Sequence, residues 1–189
     1  MKDSDKIKKY IELLLFWNKT HNLISRNQTN NINDHIEDSL SVLEHLGGVL
    51  VDLGSGGGLP GIPIAIKAPQ KKVILVESNS KKSSFLLNVT NKLNLTNVSV
   101  LHSRIEEVDP AQLPEGYEIL VRAVGTTEHL IELTKAHLDG PGTQLKLMKT
   151  EEQAEEEPLP QNYAIKKINK LPSKGKDKGR ILVTIEKNG

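Results

Sequence analysis

The sequence predicts an α/β fold in which helices cover both faces of a mostly parallel, doubly wound sheet, with a helical extension in front of it. Three observations carry this prediction. Residues 49–53 form a short apolar run that leads straight into a glycine-rich loop. Strand-like and helix-like patterns then alternate up to Lys149. Two further strand-like runs follow, at residues 162–169 and 180–186, and these predict an antiparallel final pair.

Residues 1–48 are predicted to be the helical extension, because apolar residues recur there at helical spacing. One apolar face contains Ile7, Ile11, Leu14 and Leu15, and a second contains Ile32, Ile36, Leu40 and Leu43. We expect Trp17 to pack the first helix against the sheet domain and Asn22 to end that helix. Gly47 and Gly48 then end the extension.

Residues 49–189 are predicted to form the sheet domain. Its first five strands are expected at 49–53, 72–77, 97–101, 118–123 and 143–149, with helices near 60–68, 81–94 and 127–138. The last two strands are expected to pair as a hairpin at the edge of the sheet, joined by a basic loop at 174–180. The acidic segment 151–157 is expected to be a solvated loop or the start of a helix.

The composition restricts the chemistry. The 189 residues suffice for one domain with a substantial core. A net charge of +1 predicts no overall basic field, so binding to nucleic acid would depend on local patches. The sequence contains no cysteine, which excludes a thiol nucleophile and a cysteine zinc site, and we expect no metal. The apolar stretch at 11–17 is too short to cross a bilayer, so we expect a cytoplasmic protein.

The glycine loop predicts a nucleotide-like cofactor, and the acid before it indicates which kind. Glycines at 56, 58 and 61 match the spacing of dinucleotide-binding loops. Those loops hold a pyrophosphate, which the carboxylate of Asp52 would repel. Asp52 suits S-adenosylmethionine better, because this molecule carries a sulfonium and an ammonium group and no phosphate. Glu77, which follows the next strand, is placed to accept hydrogen bonds from ribose hydroxyls.

Five segments of the chain resemble the bacterial small-subunit ribosomal RNA methyltransferase G family, also called glucose-inhibited division protein B. They read WNKTHNL at 17–23, HIEDS at 35–39, DLGSGGGLPG at 52–61, SRIEE at 103–107 and VRA at 121–123. The resemblance implies a class I methyltransferase with a Rossmann-like, seven-stranded sheet. It also implies the reaction, which is methylation of N7 of a guanine in 16S ribosomal RNA. The chain departs from the family pattern after the fifth strand, where Lys149-Thr150 stands in place of a Lys-Gly pair.

The resemblance also implies roles for particular residues of the cofactor site. Gly54 and Leu59 line the cofactor, Ile105 and Glu106 hold the adenine, and Arg122 lies at the mouth of the site. Together with Gly56 of the glycine loop and Glu77 after the second predicted strand, these residues make up the expected cofactor site. Arg122 is the candidate catalytic residue, and a structural ion pair is the alternative, because a charge at the end of a buried run needs a partner.

Contacts to RNA are expected from a few cations. The candidates are Arg26, Lys174, Lys176, Lys178 and Arg180, although each could equally belong to a solvated face. His35 and Asp38, one helical turn apart, are either a pair satisfied in the core or a cap on the substrate pocket. We expect a monomer that acts on 16S ribosomal RNA or on a small-subunit particle.

Two other functions stay open at this point. One is a nicotinamide-dependent reductase, which Asp52 disfavours, as does the lack of a recognisable acid-base group near the loop. The other is a non-catalytic RNA-binding or ribosome-assembly protein that keeps the methyltransferase fold. The sequence does not exclude it, because guanine N7 carries a lone pair of its own and its methylation requires no diagnostic base.

Overall fold

A computed structural model of the chain describes residues 1–122, 124–172 and 179–188. Within these residues seven strands form one sheet in the order β3-β2-β1-β4-β5-β7-β6. The strands are β1 (Val49–Leu53), β2 (Lys72–Val76), β3 (Val98–Leu101), β4 (Glu118–Arg122), β5 (Gln144–Thr150), β6 (Tyr163–Lys170) and β7 (Arg180–Lys187). The helices are α1 (Asp3–His21), α2 (Arg26–Asn30), α3 (Ile32–Leu40), α4 (Gly61–Lys67), α5 (Ser80–Lys92), α6 (Thr127–Leu138) and α7 (Glu151–Glu156).

The pairing of the strands is the predicted one. Strands β1 to β5 are all parallel, β7 pairs with β5 in the antiparallel sense, and β6 closes the edge as the hairpin partner of β7. The predicted strand boundaries differ from the observed ones by at most one residue. The acidic segment begins with α7, which starts at a capping box between Thr150 and Gln153.

Two hydrophobic cores lie on opposite faces of the sheet, because successive strand residues point in opposite directions. In β1, Leu50 contributes to the core beneath α1, α3, α4 and α5, whereas Val51 contributes to the core beneath α6. Parallel strands covered on both faces are apolar throughout, and this is why β1, β2 and β4 were recognisable as continuous apolar runs.

The N-terminal extension packs directly on the glycine loop. Tyr10 of α1 is completely buried, and its hydroxyl donates a hydrogen bond to the carbonyl oxygen of Gly57 at 2.6 Å. Trp17 lies against Phe85 of α5, with 5.6 Å between the ring centroids. Asn22 ends α1 in the left-handed conformation, with φ at 48°. The expectations for Trp17 and Asn22 are therefore confirmed, and a boundary at residue 48 stays a prediction. In the part of the chain that the structure describes, no helix has the length and apolar character needed to cross a membrane.

Candidate cofactor site and its surroundings

The loop after β1 turns sharply because its glycines adopt conformations that other residues disfavour. Gly54 and Gly56 have φ angles of 71° and 54°, in the left-handed region. A Cβ atom on Gly54 would lie 3.2 Å from a methyl carbon of Val124. A Cβ atom on Gly56 would meet nothing nearer than 3.7 Å, so this backbone is open to an approaching ligand.

Asp52 lies beneath the loop and holds the start of α4. Its carboxyl is 1% exposed, and its Oδ2 accepts a hydrogen bond from the backbone N–H of Gly61 at 3.0 Å. Burial raises the pKa of Asp52 to about 7, and the hydrogen bond from Gly61 opposes this rise. The carboxyl therefore accepts from the first residue of α4, a structural role that was not predicted from the sequence.

Glu77 follows β2 and is oriented by two backbone amides. Its Oε2 accepts from the N–H of Gly56 at 2.8 Å, and its Oε1 accepts from the N–H of Asn79 at 2.8 Å. The side chain is nearly buried beside the glycine loop. A carboxylate fixed in this way keeps lone pairs on both oxygens for further donors.

A cavity of about 280 Å³ lies at the carboxyl ends of β1 and β2. Its lining includes four of the predicted cofactor residues, together with two from the region around α6: Gly54, Glu77, Ile105, Glu106, Val124 and His129. Two other predicted cofactor residues make contacts within the protein. Leu59 is buried in the hydrophobic core beside α4, and the N–H of Gly56 donates a hydrogen bond to Glu77. The structure therefore brings together residues from three separate strand ends.

A buried histidine holds the backbone of the segment that carries Ile105. His137 of α6 is 1% exposed, and its Nε2 lies 3.0 Å from the carbonyl oxygen of Ile105. Because a carbonyl only accepts, Nε2 carries the proton, and Nδ1 accepts from the Tyr117 hydroxyl at 2.5 Å. Burial raises the pKa of Tyr117 to about 12, so this hydroxyl remains a donor at neutral pH. Neither residue was predicted from the sequence, although a histidine on the apolar face of the predicted helix 127–138 was a visible signal.

Arg122 belongs to a buried ion network that ties β4 to the N-terminal extension. Its Nε contacts Oδ2 of Asp38 at 2.9 Å, and its two terminal nitrogens lie 2.6 Å from Nδ1 of His35 and 3.3 Å from Oγ of Ser39. Burial lowers the pKa of Arg122, whereas Asp38 raises it. His35 and Asp38, predicted to form a pair or a cap, both contact the same guanidinium. The structural ion pair weighed against catalysis is therefore present.

The predicted RNA contacts occupy different environments. Arg26 is exposed at the first position of α2. Arg180 is only 13% exposed, and its guanidinium binds both oxygens of Asp38, at 3.0 and 3.1 Å. This commitment to Asp38 competes with the phosphate contact expected for Arg180. Three further predicted contacts, Lys174, Lys176 and Lys178, lie outside the described residues.

Comparison with known proteins gives one consistent family. The family model described as rRNA small subunit methyltransferase G matches residues 3–183. A protein of Pseudomonas putida, named Ribosomal RNA small subunit methyltransferase G, is 37% identical over 188 residues, which is 97% of this chain and 86% of that protein. A protein of the same name from Nitrosomonas eutropha is 44% identical over 134 residues, which is 70% of this chain but only 62% of that protein.

Solved structures resemble the fold at much lower identity. A mutant of MtNAS in complex with S-adenosylmethionine has a TM-score of 0.64 and 14% identity, and the match covers 98% of this chain and 76% of that one. An rRNA methylase from Streptococcus thermophilus has a TM-score of 0.52 and 18% identity, covering 80% of this chain and 94% of that one. Together with the strand order, these likenesses show the Rossmann-like class I methyltransferase fold that the sequence predicts.

Proposed function

This chain belongs to the rRNA small subunit methyltransferase G family, and we propose that it transfers a methyl group from S-adenosylmethionine to N7 of a guanine in 16S ribosomal RNA. The observation that carries the proposal is the cavity at the carboxyl ends of β1 and β2. There the backbone of Gly54, an oriented carboxylate and the segment of Ile105 converge. Ligands of open α/β sheets bind at this edge.

The residues of the cavity fit the proposed cofactor. Glu77 is held by two amides in a fixed direction and would accept hydrogen bonds from the ribose hydroxyls. Ile105 and Glu106 would hold the adenine, with the carbonyl of Ile105 anchored to His137. Gly54, Gly56 and Leu59 would shape the loop on which the rest of the molecule lies.

The same loop is a poor site for a dinucleotide. A pyrophosphate would need the amide groups at the start of the helix that follows the loop. In this chain the N–H of Gly61, the first residue of α4, is already bonded to Asp52. This arrangement disfavours the nicotinamide-dependent reductase.

The contribution of the protein to the reaction is to orient the methyl donor and the guanine. When bound, S-adenosylmethionine supplies an electrophilic methyl group, and guanine N7 attacks it with its own lone pair, so no side chain has to remove a proton. Holding the two groups in line supplies most of the acceleration. We propose that Arg122 positions the site mouth through its contacts with Asp38 and Ser39.

RNA would be held by cations around the site. We propose Arg26 and the basic loop 174–180 for this role, in which Arg180 would exchange its pair with Asp38 for a phosphate. Because the proposed substrate is ribosomal RNA or a small-subunit particle, we place the activity in the cytoplasm. We propose a monomer as the active form.

The experiment that tests the function uses a labelled methyl donor. The purified protein is incubated with methyl-labelled S-adenosylmethionine and 16S ribosomal RNA that lacks modifications, and the label is located by mass mapping. We expect one labelled guanine that carries the methyl group on N7. Binding of the methyl donor and of RNA without any transfer would instead identify the non-catalytic RNA-binding protein.

A further inference from the structure

A second cavity, of about 350 Å³, lies beside the cofactor cavity at the carboxyl ends of β4 and β5. Val124 lines both cavities, so the two are adjacent. Its lining combines the apolar residues Val121, Leu147 and Met148 with polar residues that contribute most of the exposed surface, namely Lys149, Gln153 and Glu157. Its volume lies within the range of small-ligand sites.

An ion pair lines one end of this cavity. Lys149, 9% exposed, donates to Oε2 of Glu157, whose side chain is 22% exposed. The backbone N–H and the hydroxyl of Thr127 donate to the same oxygen, at 2.5 and 2.6 Å. Burial by itself would raise the pKa of Glu157, but the hydrogen bonds from Lys149 and Thr127 outweigh it and lower the pKa. The carboxyl is therefore an anion at neutral pH.

The hydrogen bonding of Glu157 leaves one acceptor for a ligand. Among the residues that the structure describes, the donors just named all reach Oε2, so Oε1 retains its lone pairs. A cavity that combines apolar side chains with an anionic acceptor suits an aromatic ring that carries N–H donors on one edge. Guanine presents such an edge, with N1–H and the 2-amino group, whereas adenine has an acceptor at N1.

We infer that this second cavity receives the target guanine, and that Oε1 of Glu157 accepts hydrogen bonds from its 2-amino group and N1–H. The inference rests on the proposed function, because it assigns the acceptor of that methyl transfer. With the donor edge at Glu157, the edge of the ring that carries N7 points away from Glu157, and the transfer requires this edge to face the wall at Val124 that the two cavities share.

The transfer balances in this arrangement. The N7 lone pair forms the bond to the methyl carbon, the bond between carbon and sulfur breaks, and its electron pair stays on sulfur as the neutral thioether of S-adenosylhomocysteine. The base becomes the N7-methylguanine cation. Positive charge spreads into the ring, which strengthens the N–H donors, so the hydrogen bonds to Glu157 become stronger as the transfer proceeds.

The test compares two substrates and three proteins. One RNA carries guanine at the mapped target position, and the other carries inosine, which lacks only the 2-amino group. The proteins are the wild type, Glu157→Gln, and the control Glu152→Gln, which changes an exposed carboxylate of α7. The preference of each protein for the guanine RNA over the inosine RNA is measured in two ways. One is the ratio of the two kcat/KM values for methyl transfer, and the other is the ratio of the two RNA affinities with S-adenosylhomocysteine present.

We expect the wild type and Glu152→Gln to prefer guanine by about tenfold in both ratios, and Glu157→Gln to lose most of this preference. The inference is overturned if Glu157→Gln prefers guanine as strongly as the wild type does, or if the wild type shows no preference for guanine. If circular dichroism shows Glu157→Gln to be unfolded, Glu157→Asp replaces it, because it keeps the charge and withdraws the acceptor by one methylene. Failure of the wild type to methylate any ribosomal RNA would instead refute the proposed function.

Discussion

Asp52 should make the stability of this protein fall as the pH rises from acid to neutral. Its carboxyl is 1% exposed, and its pKa in the folded chain is about 7, against an ordinary value of 3.8. A folded-state pKa above the unfolded one means that folding favours the protonated form. The stabilisation is therefore fully present below pH 3.8 and is lost as the pH rises through 7.

The size of the effect follows from the two pKa values. Their difference of about three units corresponds to roughly 4 kcal/mol over the full titration. Between pH 5 and pH 8 the folded protein should lose roughly 2–3 kcal/mol of stability through this group alone. Asp52→Asn removes the titration and keeps an oxygen that can accept from the N–H of Gly61.

The assay is chemical unfolding of wild type and Asp52→Asn at several pH values between 5 and 8. Other titrating groups affect both proteins alike, so the difference between their free energies of unfolding isolates Asp52. We expect the free energy of unfolding of the wild type to fall by roughly 2–3 kcal/mol relative to the variant over this range. A difference that stays constant with pH would refute the raised pKa and the burial argument behind it.

Three further substitutions, two of them with a control substitution, test the cofactor site and the contacts that support it. Gly54→Val should abolish binding of S-adenosylmethionine in calorimetry, because φ is 71° there, whereas Gly48→Ala, which meets nothing within 4 Å, should bind normally. Asp38→Ala leaves two largely buried guanidinium groups without their shared carboxylate. The free energy of unfolding should therefore fall by about 3–5 kcal/mol and Tm by roughly 10 °C. Glu12→Ala removes an exposed ion pair and should leave Tm nearly unchanged. His137→Phe should weaken cofactor binding at least fivefold, a loss of about 1–3 kcal/mol, and unchanged affinity would refute its positioning role.

Most of the fold could be predicted because strands buried on both faces leave a strong signal. The runs that became β1, β2 and β4 are almost uninterrupted apolar sequence between glycines and charges. The division of the extension into α2 and α3 was not predicted. These helices meet at Asn31, and the first is a single short element with a capping box at Ser25, a signal that lies in local polar contacts rather than in apolar periodicity.

The site could be predicted in part, and for a clear reason. Gly54, Glu77 and Ile105 follow different strands, and the carboxyl ends of parallel strands meet at one edge of the sheet. Which charges would be paired could not be predicted. Asp38 lies far from Arg122 and Arg180 in sequence, and a pairing of this kind depends on tertiary structure that no local pattern encodes.

The contacts of the N-terminal extension make it part of the site. Through Tyr10, α1 holds a carbonyl of the glycine loop, and through Asp38, α3 holds an arginine of β4 and another of β7. The loop beneath the proposed cofactor and two strands of the sheet, of which β4 borders the proposed substrate cavity, are thus tied to the N-terminal extension. Because each of these bonds is buried or nearly so, breaking one leaves an unpaired polar group that the fold can satisfy only by moving. Disturbance of α1 or α3 should therefore affect cofactor binding, although neither helix lines the cofactor cavity.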